Sequence, residues 1–165
     1  MPSTPKNVRW GHRTSTLISR WWRSTRRRFI RHNSSGRWGE RATRRFLETN
    51  GLIVLVSNWR TKRLEADIIA VSEKTIVVVE VKTRNARFKS RFPAIGAITR
   101  EKYEHLIALQ RRFIRNNGPL CRRYALRKQR IDIVEVYYRR SRFVGRRIDE
   151  IRWHHDFIPQ YACES

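Results

Sequence analysis

Four ionisable side chains sit among apolar neighbours: Glu65 and Asp67 in the run Leu64 to Val71, and Glu80 and Lys82 in the run Ile76 to Thr83. Three carboxylates and one ammonium are groups that metal-dependent phosphodiester hydrolysis uses. Mg²⁺ or Mn²⁺ takes oxygen ligands from one or two carboxylates and keeps waters and open positions for a phosphate. A neighbouring amine orients or deprotonates an attacking water and offsets charge on the phosphate. The same residues also suit a buried ion-pair cluster, Glu65 with Lys82 and Asp67 with an Arg, that only holds strands in register.

Which chemistry applies depends on the elements beneath them. Two apolar, β-branched runs separated by the polar turn Ser72-Glu73-Lys74 predict a hairpin. A turn centred on Glu73 and Lys74 sets Val71 opposite Ile76, Asp67 opposite Glu80 and Glu65 opposite Lys82. Because side chains alternate along a strand, all four charged residues share one face, with Ile69, Val71, Ile76 and Val78 further along it. The charges therefore cap one end of a buried sheet. Two carboxylates facing each other at roughly 5 Å between Cβ atoms repel unless a cation sits between them.

The rest of the chain supplies the frame. Trp38, Ala42, Phe46 and Leu47 predict a first helix from Gly36, with Ser34 or Ser35 to cap it and Asn50-Gly51 to stop it. Leu52–Asn58 reads as a strand, followed by a basic turn at Arg60 to Arg63 and the strands Glu65–Val71 and Thr75–Thr83, an antiparallel meander. After a basic loop, Arg84 to Pro93, Thr99 caps a second helix with Tyr103, Leu106, Ile107, Gln110 and Ile114 on one face; Asn116-Asn117-Gly118-Pro119 ends it. Strands follow at Ile131–Tyr138 and near Ile148–Trp153. The expected fold is α/β (α+β): a mixed central sheet containing the meander, flanked by helices, in the order α-β-β-β-α-β-β.

A length of 165 residues fits one domain of common size, expected over residues 36–160, with a short tail at 161–165. Residues 1–35 hold nine Lys or Arg and no Asp or Glu, which predicts a disordered basic arm. Its makeup also resembles an organelle transit peptide, and Leu17, Ile18, Trp21, Trp22 and Phe29 allow a short amphipathic helix. The formal charge of +24, from 38 Lys plus Arg against 14 Asp plus Glu, points to a polyanionic partner, with nucleic acid first. Arg dominates the 38, a skew that GC-rich codon usage also produces. Cys121 and Cys163 are isolated, which argues against a disulfide framework or a zinc finger. No apolar run reaches the roughly 18 residues of a spanning helix. The expectation is a soluble, cytoplasmic protein without membrane insertion.

With Glu40 in the first helix, Asp67 on the second strand and Glu80-Val81-Lys82 on the third, the chain resembles the PD-(D/E)XK nuclease core of type II restriction enzymes and archaeal Holliday-junction resolvases. A wider set of residues is similar to the YraN-like family of small bacterial proteins, assigned to that fold by resemblance: Gly36, Gly39, Glu40, Ala42, Phe46-Leu47, Glu65-Ala66-Asp67-Ile68-Ile69, Val79 to Arg84, Lys102 and Arg130 to Val134. The similarity covers about residues 36 to 158. It implies a restriction-endonuclease-like core in which Asp67, Glu80 and Glu40 bind Mg²⁺ or Mn²⁺ and Lys82 assists the nucleophile. It also implies an endonuclease acting on DNA rather than RNA, with branched or junction DNA as one substrate class and room for a homodimer. Two departures stand out: Leu64 occupies a position where the family usually has Gly, and a basic stretch, Asn85 to Phe92, replaces a Gly-rich loop.

The phosphate-contact candidates are Arg60, Lys62, Arg63, Arg84, Arg87, Lys89 and Arg91 on the loops around the charged strand end, with Lys102 on the second helix. Trp59, Phe88 and Phe92 are interleaved with them, suited to base stacking or to packing beneath the loop. His154-His155 lacks metal-site spacing, since adjacent residues of a strand point to opposite faces. Asp132, beginning a strand rich in Ile and Val, is expected to pair with Arg130 or a helix end in a structural role. Two other readings compete with the nuclease: a non-catalytic nucleic-acid binder on a nuclease-like scaffold, and an organelle- or membrane-associated basic protein.

Overall fold

The computed structural model describes residues 34–61, 64–89, 98–142 and 145–158. Most of the basic arm, the 161–165 tail and the candidates Lys62, Arg63 and Arg91 lie outside the described residues. The elements are α1 (Ser34–Thr49), β1 (Ile53–Thr61), β2 (Leu64–Ser72), β3 (Thr75–Asn85), a 3₁₀ turn (Ala86–Phe88), α2 (Arg100–Asn116), α3 (Gly118–Arg123), β4 (Lys128–Ser141) and β5 (Gly145–His154).

The run Ile76 to Val79 is buried on both faces, as expected of a central strand with layers above and below it. The five strands lie in the order β1-β2-β3-β4-β5. β1, β2 and β3 form the antiparallel meander, β4 runs parallel to β3, and β5 folds back antiparallel on β4. A parallel neighbour needs a crossover, which α2 and α3 provide.

Alternation divides the core in two. Ile69 and Val71 of β2, Ile76 and Val78 of β3, and Ile131 and Ile133 of β4 pack against Leu106, Leu109 and Phe113 of α2. Ile68 and Ala70, Val77 and Val79, and Val134 and Val136 pack on the other face with Leu47 of α1. Each of the Val, Leu, Ile and Phe side chains among them contributes about 1.5–3 kcal/mol on full burial. Gln110 is buried as well, because its amide donates to the carbonyls of Ile76 at 3.3 Å and Arg130 at 2.9 Å, pinning the start of the parallel pair.

The expected mixed sheet with its flanking helices is present, with differences in detail. α1 begins at Ser34, so both serines lie inside the helix rather than at its cap. Asn117-Gly118-Pro119 ends α2 but also opens α3, because proline suits the first turn of a helix. Thr99 does cap α2, its hydroxyl accepting from Lys102 N–H at 3.2 Å. Arg84 and Asn85 still belong to β3, and part of the expected loop is the 3₁₀ turn. β4 and β5 outrun their apolar cores, since backbone pairing continues through residues whose side chains are charged.

Candidate metal and phosphate site

The hairpin register expected around Glu73 and Lys74 holds from Ser72 and Thr75 to Ile68 and Val79. Beyond that pair the two strands part. β2 continues along β1 through Ala66, Glu65 and Leu64, while β3 continues along β4 as far as Asn85. Asp67 stands at the opening, where its Oδ2 accepts the Val81 N–H at 2.7 Å and substitutes for the lost ladder partner. The parting separates Glu65 from Lys82: Glu65 lies opposite Arg60 and forms an ion pair with it.

Alternation along β3 carries Glu80 and Lys82 onto the face covered by α2. Glu80 is buried, and two ammonium groups neutralise it. Lys82 Nζ donates to Oε1 at 2.9 Å, and Lys102 Nζ, from the first turn of α2, stands 2.8 Å from Oε2. The Lys102 contact is not directed along a hydrogen bond, so buried Oε2 has no hydrogen-bond donor. Next to Lys82 in the parallel ladder is Glu135, also buried, whose carboxylate accepts from the Tyr137 hydroxyl at 3.1 Å and meets His154 Nε2 at 3.1 Å. The sequence carries a sign of it, since Val134-Glu135-Val136 repeats the pattern Val79-Glu80-Val81.

Glu40 arrives from α1. It is nearly buried, and its Oε2 accepts from Asn58 Nδ2 at 2.9 Å. Asn58 has φ 55°, a left-handed conformation that Asn tolerates better than most residues; nothing in the sequence had marked it. Gly39 lets the helix come this close, because a Cβ there would meet Thr83 Oγ1 at 1.8 Å and Thr83 Cβ at 2.9 Å. Gly39→Ala gains about 1 kcal/mol of helix propensity and loses about 1–3 kcal/mol to overpacking. A net fall in thermal midpoint is expected, with partial recovery when Thr83→Ala is added, since that change removes Oγ1 but leaves the Thr83 Cβ contact at 2.9 Å. A single substitution that raises the midpoint contradicts the close packing.

The three carboxylates act on one another. The Asp67 carboxyl is raised from an ordinary 3.8 to about 7, chiefly by burial, then by the Glu80 charge; Glu40 adds to the rise, while the Val81 N–H and Lys102 oppose it. Among the described residues no three His, Cys, Asp or Glu side chains form a ready cage for a metal ion. The candidate cation ligands are Asp67 and Glu80, and both oxygens of Glu80 already face an ammonium group, Lys82 or Lys102.

The described phosphate-contact candidates divide. Arg84 is half-buried at the end of β3, and Arg87 is exposed with its guanidinium 4.5 Å from the centre of the Phe88 ring. Lys89 pairs with Glu150, Arg60 with Glu65 and Lys102 with Glu80. Trp59 is core, stacked edge-on against Phe113 at 5.2 Å. The tandem histidines do part: His154 meets Glu135 and His155 lies against the Trp153 ring. Asp132 is buried and accepts four bonds, from Arg130 Nε and Nη2, Trp153 Nε1 and the Asp156 N–H.

Among the described residues no helix is long and apolar enough to cross a membrane. Residues 39–151 match the model of a family described as "Uncharacterised protein family UPF0102". A UPF0102 protein of Beutenbergia cavernae is 36% identical over 118 residues, 71% of this chain and 92% of its own length. One from Desulforapulum autotrophicum is 36% identical over 117 residues, 71% of this chain and 88% of its own. Another, from Oleidesulfovibrio alaskensis, is 50% identical over 56 residues, 34% of this chain and 28% of its own length, so that match spans less than a third of the relative. With the matched region running from Gly39 beside the opening to Ile151 on β5, the chain belongs to the uncharacterised protein family UPF0102.

Proposed function

We propose that this chain is a metal-dependent phosphodiesterase acting on nucleic acid, DNA in the first instance. In this reading Asp67 and Glu80 hold Mg²⁺ or Mn²⁺, Glu40 supports it, and Lys82 assists the nucleophile. The observation that carries the reading is the convergence of Asp67, Glu80 and Glu40 where β2 and β3 part, with the Asp67 carboxyl raised to about 7 first by burial and then by the charges of Glu80 and Glu40. The +24 charge and the resemblance to PD-(D/E)XK nucleases support the same reading. Two carboxylates rather than a closed cage suit Mg²⁺, which keeps several of its waters.

A bound cation supplies Lewis-acid stabilisation of charge on the phosphoryl oxygens. The chain's own part is positional. Asp67 is locked by the Val81 N–H and Glu40 by Asn58. Lys82 gives one N–H to Glu80 and has two left to hold a water and offset the growing charge of the phosphate. Incubation of the pure chain with nicked, branched and single-stranded DNA in Mn²⁺, against an EDTA control, tests the reading; metal-dependent cleavage is expected.

A non-catalytic nucleic-acid binder on the same scaffold is the second reading, favoured by the ammonium groups already at both oxygens of Glu80. It predicts binding indifferent to metal, to Asp67 and to Lys82.

The raised carboxyl also sets a pH dependence. Folded Asp67 keeps its proton to about pH 7, whereas in the unfolded chain it ionises near 3.8. The folded state therefore binds more protons within that window, and stability falls as pH rises through it. In EDTA, the thermal midpoint should drop between about pH 4 and about pH 7, with Mn²⁺ restoring it at the upper end and Asp67→Asn flattening the profile. Identical profiles for the two proteins contradict the shift.

A further inference from the structure

At the far end of the sheet, β4 and β5 run on past β3, whose last residue Asn85 lies opposite Tyr138. The projecting hairpin sets Arg139 directly opposite Arg147 and Arg140 directly opposite Arg146. Like charges in directly opposed positions destabilise a ladder, so the hairpin by itself is electrostatically unfavourable. Two of the four are offset: Arg139 pairs with Asp149 at 2.6 Å, and Arg146 lies over the Tyr138 ring at 5.6 Å. Arg140 and Arg147 are exposed and have no partner among the described residues.

Alternation along β4 places Arg139 on the face that carries Glu135 and Tyr137, the face of the candidate site, and Arg140 on the opposite one. Between the site and the hairpin lie Lys89 and Arg152, both paired with Glu150 and both over the Tyr137 ring. Ile133 is level with Glu80. Six residues of strand separate it from Arg139, about 20 Å at roughly 3.3 Å each, which matches about six base pairs at 3.4 Å each.

We infer that the β4–β5 hairpin is a second phosphate-contact element, one that grips the backbone of a nucleic-acid duplex about six base pairs from the phosphate at Glu80 and Lys82. Guanidinium forks match phosphate oxygens, and a phosphate lying against an opposed arginine pair removes the repulsion within it. A duplex fits better than a single strand, because the Tyr138 ring is buried and covered by Arg146, leaving it closed to base stacking. The inference rests on the proposed site for the position of the bound phosphate, not for the affinity of the hairpin.

The test uses the full chain in EDTA with a labelled duplex of about 30 base pairs, titrated by fluorescence anisotropy from about 50 to about 200 mM salt. Arg147→Gln removes one contact on the face of the candidate site and should lower the slope of log K against log salt by about 0.9. Its thermal midpoint should hold or rise, since repulsion is relieved. Arg147→Lys should keep the slope. An unchanged slope in the Gln variant overturns the inference. So do a lowered midpoint accompanying the loss, tighter binding to a single strand of equal length, or no salt-dependent binding by the unmodified chain. The measurement needs no metal: binding of this kind without any Mn²⁺-dependent cleavage keeps the hairpin and ends the nuclease reading, whereas cleavage with an unchanged slope does the reverse.

Discussion

Asp67→Asn is expected to lower metal-dependent cleavage by roughly 10³ or more while raising the thermal midpoint of the metal-free protein near pH 8. The two halves have one cause. Near that pH the native carboxylate is ionised beside Glu80 and Glu40, in a buried position that lifts its pKa to about 7. The Asn amide removes that charge and can still accept the Val81 N–H through Oδ1. Losing a cation ligand forfeits Lewis-acid stabilisation of several kcal/mol, and each 1.36 kcal/mol or so is a factor of ten in rate. A residue that only held the strands together would behave in the opposite way, losing stability on substitution. Lys82→Ala should lower cleavage by about 10²–10⁴ and leave cation binding in place. Cleavage assays paired with thermal melts of each variant separate these outcomes; activity surviving when Asp67→Asn and Lys82→Ala are combined contradicts the assignment.

The largest stability effect is expected at Asp132, on the face of the sheet away from Glu80. Its carboxylate is buried and ties β4 to Trp153 on β5 and to Asp156 just past it, besides neutralising Arg130. Asp132→Ala leaves a partly buried guanidinium, an indole N–H and a backbone N–H without this acceptor. Breaking such a buried pair costs about 3–5 kcal/mol, or about 10 °C and upward in midpoint at roughly 3 °C per kcal/mol. Asp132→Asn should lose less, since one oxygen still accepts. At a temperature where the variant remains folded, cleavage per molecule should match the unmodified chain.

Much of this arrangement is legible in the sequence because it depends on local patterning. The turn at Glu73-Lys74 fixes the register of β2 and β3, and with it the nearness of Asp67 and Glu80. The spacing of Trp38, Phe46 and Leu47 and the cap at Thr99 mark the two main helices. The parting of the hairpin at Asp67 is not legible. It arises because β1 and β4 each pull one strand away, and a register counted from the turn assumes pairing to the end, which is why Glu65 was expected opposite Lys82. The partners supplied by distant segments were equally hidden: Asn58 to Glu40 and Lys102 to Glu80 cross between elements that no periodicity relates. Glu135 and the full length of the β4–β5 hairpin were missed for another reason. Both put charge where apolar alternation is the expected strand signal, although backbone pairing alone sustains the ladder.

Crystals soaked in Mn²⁺ and measured at the manganese absorption edge test the proposed site most directly. The expected result is one anomalous peak within about 2.0–2.3 Å of an Asp67 oxygen and a Glu80 oxygen, with Lys102 turned away from Oε2. A map without a peak there, with Lys82 and Lys102 still on the two oxygens of Glu80, contradicts it.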